Sequence, residues 1–195
     1  MKILIAIAIL LALASGAYAD SFMAISYDIS APLGNTRDFI GSASWRGFSV
    51  EGRGFFKPNW SAGVDFGWTT FAENSDRLME IENGHASGNQ FRLMYAVPIV
   101  ATLHYYPNPN KYSDKIMHYV GCGAGPYRIE TELQYGLYAL TEQNWHFGFC
   151  PEYGFMIPAE TVFFMFNIKY NYVFKKGDTE SQSYLTFRLG ISDIW

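Results

Sequence analysis

The sequence predicts an all-β chain, an eight-stranded antiparallel up-and-down transmembrane β-barrel. Three observations carry this. Aromatic residues make up 18% of 195 residues and charged ones only 16%, yet mean hydropathy is −0.02, so apolar and polar residues must be interleaved. Period-two alternation recurs along almost the whole chain beyond an N-terminal apolar run. The connections between alternating segments are by turns short and long. The composition excludes a disordered chain, which is poor in aromatics. It also excludes a helical membrane protein, because the one long apolar run is at the extreme N-terminus. A net charge of −4 disfavours nucleic acid as a partner, since backbone phosphates call for a basic surface.

That N-terminal run reads as a processing signal. Met1-Lys2 is a short positive start, Ile3 to Ala14 is apolar, and Ala17-Tyr18-Ala19 places small residues before Asp20. Residues 1–19 are therefore expected to be a cleaved signal peptide, with the barrel domain spanning 20–195. Cleavage removes one lysine, leaving 176 residues with 13 basic and 18 acidic side chains.

The strands follow in order at roughly 22–31, 44–56, 60–72, 90–106, 115–127, 144–157, 162–174 and 183–192. The clearest is the seventh, where Val162, Phe164, Phe166, Ile168, Tyr170, Tyr172 and Phe174 alternate with Phe163, Met165, Asn167, Lys169, Asn171 and Val173. A strand sends the two sets to opposite faces, whereas a helix scatters both. Each segment reaches the roughly 9–11 residues that a tilted strand needs to cross a bilayer. Lys57-Pro58-Asn59 and Pro158-Ala159-Glu160 are tight turns, and 106–115 is a proline-containing connection on the same side. The stretches 32–43, 73–89, 128–143 and 176–182 read as polar loops on the other. Asn35 to Ile40 suits one capped helical turn inside the first.

Side-chain volume then sorts the faces. One set is bulky and almost uncharged, with Phe48, Trp60, Phe66, Trp68, Tyr95, Leu103, Trp145, Phe147, Phe149, Phe187 and Leu189 among it. The opposite set carries glycine (63, 67, 121, 123, 125, 148, 154 and 190) and charge. An eight-stranded lumen is only just wide enough for side chains to fill, so the bulky set belongs outside and the small and charged set inside. Basic residues turned to lipid at mid-depth would cost about 2–4 kcal/mol each. The inward charges are four acids, Asp28, Glu51, Asp65 and Glu152, and four bases, Arg53, Arg92, Lys169 and Arg188. A balanced set is what a closed lumen requires, and a structural salt-bridge network is the expectation. Glu51 and Arg53 share a face and suit pairing with Asp65.

The end of the chain, Leu185 to Trp195, has Gly190 five residues before a terminal aromatic. This resembles the carboxy-terminal assembly signal of bacterial outer-membrane proteins, although Asp193 stands where a second apolar residue is usual. The runs Trp45 to Arg53 and Tyr119 to Gly125 look like those of small outer-membrane β-barrel proteins, the OmpA-like and OmpW-like group. The resemblance implies a Gram-negative outer membrane with periplasmic termini. It also implies contact with outer-membrane lipid and lipopolysaccharide, and recognition of Gly190 and Trp195 by the barrel-insertion machinery. No peptidoglycan-binding tail is expected after Trp195. Structural, adhesive and small-molecule-passage roles all occur on this scaffold, so the resemblance selects none of them.

Little else points to chemistry. Cys122 falls on the lipid face and Cys150 on the lumen face by parity, so a disulfide would need a bulge at Pro126 or Pro151. His85 falls in a loop, His104 and His146 inward and His118 near a membrane edge; none has metal-ligand spacing. No nucleophile elbow, phosphate loop or Ser-His-Asp constellation emerges, so neither enzyme activity nor a cofactor is expected. The functional expectation is a structural or surface-interaction protein with a filled lumen and an extracellular partner. The alternative is passage of a small apolar ligand through the wall, which a break in strand pairing near Pro98, Pro126 or Pro151 would favour. A lipid-modifying barrel and a soluble secreted carrier are weaker readings. A membrane barrel should migrate differently on gels when boiled and unboiled. Identical mobility together with release by carbonate wash would overturn the assignment.

Overall fold

The computed structural model describes residues 21–75, 79–81, 84–86, 90–108, 116–135, 138–177 and 179–194. The expected signal peptide, Trp195 and most of the 106–115 connection lie outside them. In order come β1 (Ser21–Leu33), α1 (Gly34–Phe39), β2 (Gly47–Lys57), β3 (Trp60–Ser75), β4 (Met79–Ile81) and β5 (Gly84–Ala86). They are followed by β6 (Gln90–Tyr105), β7 (Met117–Tyr135), β8 (Tyr138–Ala159), β9 (Val162–Val173) and β10 (Gln182–Ile194). Eight strands close into a barrel in the order β1-β10-β9-β8-β7-β6-β3-β2, each pair antiparallel, while β4 and β5 form a separate hairpin. Closure leaves every strand paired on both sides through the membrane, as a lipid environment demands of the backbone.

The bulky set faces outward. Met23, Ile25, Phe48, Trp68, Val120, Phe147, Phe149, Tyr153, Phe187, Leu189 and Ile191 are all exposed on the outer wall. Trp60 packs on Tyr105 near the end bearing the chain termini, and Trp68 stacks on Phe48 and meets Tyr95 edge-on toward the other. These are aromatic girdles, with amphipathic rings where hydrocarbon gives way to headgroups.

The expected loop at 128–143 is instead strand over 128–135 and 138–143. The β7–β8 register runs without a shift from Met117↔Met156 to Tyr135↔Tyr138. Polarity misleads here because a strand standing clear of the bilayer needs no apolar outer face; Arg128, Glu130 and Glu132 simply replace Val120 and Ala124 along the same edge. With β3 reaching Ser75 and β6 starting at Gln90, one four-stranded side of the barrel, β3-β6-β7-β8, stands taller than the rest. Helix α1 is present as expected but has no side-chain cap.

Three prolines leave marks in the wall. Pairing is continuous in register yet interrupted at Gly67-Trp68 against Val97-Pro98, at Ile99-Val100 against Gly125-Pro126, and at Cys150-Pro151 against Tyr170-Asn171. The donor–acceptor alternation explains which ladder suffers. Phe147 accepts a bond from the Phe174 amide, so odd-numbered residues of β8 turn their backbone groups toward β9, and Pro151 lacks the N–H needed there. By the same count Pro126 faces β6 and Pro98 faces β3. The unbroken β7–β8 register supplies no bulge, and Cys122 and Cys150 stay free on opposite faces.

Large rings also occupy the lumen, where only small and charged residues were expected. Tyr106, Tyr119, Tyr127, Tyr184, Phe22 and Phe71 are almost wholly buried. Glycine makes the room. A Cβ on Gly154 would lie 2.4 Å from the Tyr119 ring, and one on Gly121 would lie 2.2 Å from the His104 ring. Each glycine is the cross-strand partner of the residue it accommodates. Gly154→Val should therefore cost about 1–3 kcal/mol through overpacking. The midpoint of the heat-dependent gel shift should fall, and fall further than for Gly52→Val, where a Cβ meets open space.

Candidate functional site

The lumen is filled in three layers. At the end bearing the termini, Phe22, Ala24, Tyr106, Met117, Tyr119, Met156 and Met165 form an apolar plug backed by Phe55 and Phe163. At the opposite end Ile40, Phe71, Met94, Val100, Tyr127, Ile129, Val173 and Tyr184 form another. α1 closes this second plug from above. Thr36 donates to Gln182 Oε1 at 2.7 Å and accepts from the Ser183 amide at 2.9 Å, and the following Ile40 is fully buried. The charged residues lie between the plugs.

They form a chain of alternating sign. Asp28 Oδ2 meets Arg188 Nε at 3.3 Å, and Arg188 reaches Asp65 at 2.9 Å. Lys169 bridges Asp65 at 2.7 Å and Glu152 at 2.9 Å. Arg53 then joins Glu152 at 3.2 Å to Glu51, which it grips with two bonds of 2.8 Å. The run Asp28–Arg188–Asp65–Lys169–Glu152–Arg53–Glu51 draws one or more members from β1, β10, β3, β9, β8 and β2. Sequence spacing determines only the shortest link, Glu51 with Arg53. Asp65 pairs with Lys169 and Arg188 rather than with Arg53, because the partners meet across the lumen: β9 and β10 are not neighbours of β3 in the barrel, whereas β2, which carries Arg53, is.

Arg92 corrects the expected balance of four against four. It sits toward the outer end of β6, where it donates to the Phe39 carbonyl at 2.9 Å and to Gln90 at 3.0 Å and lies over the Phe39 ring. Its parity is inward, but its height puts it among the residues around α1. The central chain thus holds four acids and three bases. His104 completes its surroundings by hydrogen bonding Glu152, with Glu51 Oε1 3.7 Å from the same ring nitrogen.

The chain is anchored into the lower plug. The Arg53 guanidinium lies 4.6 Å from the Tyr119 ring centre and 5.1 Å from that of Phe22, and donates to the Tyr106 hydroxyl at 3.0 Å. Asn167 donates to the Tyr119 hydroxyl at 3.1 Å, and Thr102 to Glu51 at 3.2 Å. Neither tyrosine stands out in sequence as a partner for charge, although both follow inward parity from Gly121 and His104. Glu51, His104 and Glu152 bring one candidate metal ligand each to within 4.8 Å of one another. Their spacing in sequence gives no hint of it, since they come from three strands. The space among them is taken by the direct His104–Glu152 bond and by Arg53 on both carboxylates, so their geometry is that of an ion-pair cluster.

The remaining sequence candidates are dispersed. His146 bonds the Phe174 carbonyl, His118 stacks on Tyr153 at the outer wall, and Gly190 pairs with Ser26 in the β1–β10 seam. Trp195, the other half of the expected assembly signal, lies outside the described residues.

No family model matches this chain, and no curated protein does. Solved structures do. The attachment invasion locus protein Ail of Yersinia pestis, in complex with the heparin analogue sucrose octasulfate, aligns over 91% of this chain and 99% of its own at 14% identity and a TM-score of 0.55. Neisserial surface protein A aligns over 89% and 95% at 12% identity and 0.54. A major outer-membrane protein of Thermus thermophilus aligns over 91% and 100% at 12% identity and 0.55. At these identities the likeness concerns the fold, and the chain is a closed eight-stranded barrel of the outer-membrane type.

Replacing Lys169 by Met takes one cationic partner from each of the buried carboxylates Asp65 and Glu152, leaving them Arg188 and Arg53, and should cost about 3–5 kcal/mol. Lys169→Met combined with Glu152→Gln should recover part of the loss. Denaturant titration of barrel refolding into detergent micelles measures both, and additive losses would contradict the chain as drawn.

Proposed function

We propose that the mature protein is a non-enzymatic outer-membrane barrel with a structural or surface-interaction role and a closed lumen. The observation that carries the reading is the three-layer filling, two apolar plugs enclosing an ion-pair chain. A hydrated path would have to cross both plugs, and opening one would strand buried charges. What remains available for recognition is the outer end, where one side of the barrel rises beyond the girdle. Surface loops and extensions on a rigid scaffold are where binding residues concentrate. Cleavage after Ala19 would leave both termini in the periplasm, with Gly190 and Trp195 read by the insertion machinery. The aromatic belt would meet outer-membrane lipid below and lipopolysaccharide above, and no cofactor enters the proposal.

One observation favours a second reading, passage of a small apolar compound through the wall. The three proline interruptions fall on the neighbouring strands β6, β7 and β8, beside the upper plug with its Val100, Tyr127 and Cys150. Planar-bilayer recordings separate the readings. The closed lumen predicts no reproducible ion conductance, and its appearance would overturn the first reading. Proteoliposome uptake of a small alkane that falls on Pro151→Val substitution would establish the second.

A further inference from the structure

At the upper end of β2 the alternation of faces breaks. β1 pairs with β2 as far as Tyr27↔Phe48, and the next contact above is the bridge Ser30↔Ser44. Two residues of β1, Asp28 and Ile29, therefore face three, Trp45, Arg46 and Gly47, which makes a β-bulge. The chain is built for it. A Cβ on Gly47 would lie 2.7 Å from the Asp28 carbonyl oxygen. Ser44 Oγ donates to the Thr70 carbonyl at 2.6 Å and accepts from the Arg46 amide at 3.2 Å. The Tyr27 hydroxyl, reaching up from the outer wall, donates to the Trp45 carbonyl.

The bulge displays two unlike side chains together at the rim. Arg46 keeps to the β2–β3 ladder, since the Thr70 amide bonds its carbonyl, so it faces outward two residues above Phe48. Trp45, which parity with Gly47 and Ser49 would turn inward, is 66% exposed. Phe48 stacks on Trp68, and Trp68 Nε1 donates to Thr70 Oγ1 at 3.0 Å, so the upper girdle ends directly below Arg46. Two residues further, about 7 Å along the strand, the wall reaches the headgroups. The exposed Arg46 guanidinium has no partner among the described residues. The acids around the bulge are engaged, Asp28 by Arg188 and Ser49 and Glu73 by the Gly41 amide.

We propose that the bulge at Trp45-Arg46-Gly47 binds a phosphorylated lipid headgroup of the outer leaflet, that of the lipid A part of lipopolysaccharide. The Arg46 guanidinium takes the phosphate through paired N–H bonds. Trp45 lies where acyl chains give way to headgroups, the level that an indole prefers. At this height lipid surrounds the wall, so a headgroup rather than a protein stands beside the free cation. The inference rests on the reading that turns the outer end toward lipopolysaccharide, and it names the residues that meet the phosphate.

The test uses the full mature barrel in dodecyl maltoside micelles. The probe is diphosphoryl lipid A, titrated and followed by native mass spectrometry, with lipid A stripped of both phosphates as control. A saturable one-to-one complex is expected with the phosphorylated probe. Arg46→Gln should weaken it about fivefold while leaving the heat-dependent gel shift unchanged. Arg46→Lys should fall between the two, because an ammonium keeps the charge and loses the paired geometry. Arg37→Gln removes an exposed charge from α1, away from the bulge, and should bind as the native barrel does. The native barrel should hold the dephosphorylated probe no better than Arg46→Gln holds the phosphorylated one, so a misfolded variant does not spoil the test. Equal binding of the two probes by the native barrel, or of the phosphorylated probe by Arg46→Gln, would overturn the proposal. An equal loss in Arg37→Gln would overturn the bulge as the site, and inorganic phosphate binding as tightly as the probe would overturn the lipid as its source. Ion conductance would overturn the closed-lumen reading while leaving these binding results untouched.

Discussion

Seven buried charges in a chain of alternating sign hold six of the eight strands to one another across the lumen. In water such pairs contribute little, but between two apolar plugs each charge depends on its neighbours for solvation. Lys169 illustrates the dependence, since it lies between Asp65 of β3 and Glu152 of β8 and is almost wholly buried. No strand carrying one of these residues can slip by one position without turning a charge into lipid and a bulky ring inward. The ion-pair chain thus pins the register that the outer belt only favours.

The plugs and the ion-pair chain support each other. Arg53 rests on Phe22 and Tyr119 and bonds the Tyr106 hydroxyl, so the lower apolar layer also serves as a polar seat. Gly121 and Gly154 make that seat possible by leaving space for His104 and Tyr119. Above, α1 covers the other plug through Thr36 and Ile40. In the proposed reading recognition falls to the outer end, where β3, β6, β7 and β8 continue beyond the girdle.

The same reasoning shows what proline does in such a wall. Pro98, Pro126 and Pro151 each face the ladder that is interrupted, and the β7–β8 ladder behind Pro126 and Pro151 is intact. The interruptions change no register. Each removes hydrogen bonds locally on one side, which weakens the wall there without changing its register.

Much of this was legible in the sequence. Alternation assigns the outer belt and the inward parity of Asp28, Glu51, Arg53, Asp65, Glu152, Lys169 and Arg188, because side-chain direction in a strand has a period of two whatever the neighbours are. The free state of Cys122 and Cys150 follows from the same count. Which charge meets which did not follow, since parity gives a residue's face and not its height or its partner across the lumen. Arg92 shares the inward face yet belongs to the rim for that reason. The lumen rings were missed because the space they fill is created by glycines on other strands, and the 128–143 extension because outside lipid a strand loses its apolar signature. The sequence by itself determined an inside-out barrel; closure, which brings distant strands into contact, decided the ion-pair order and the plugs.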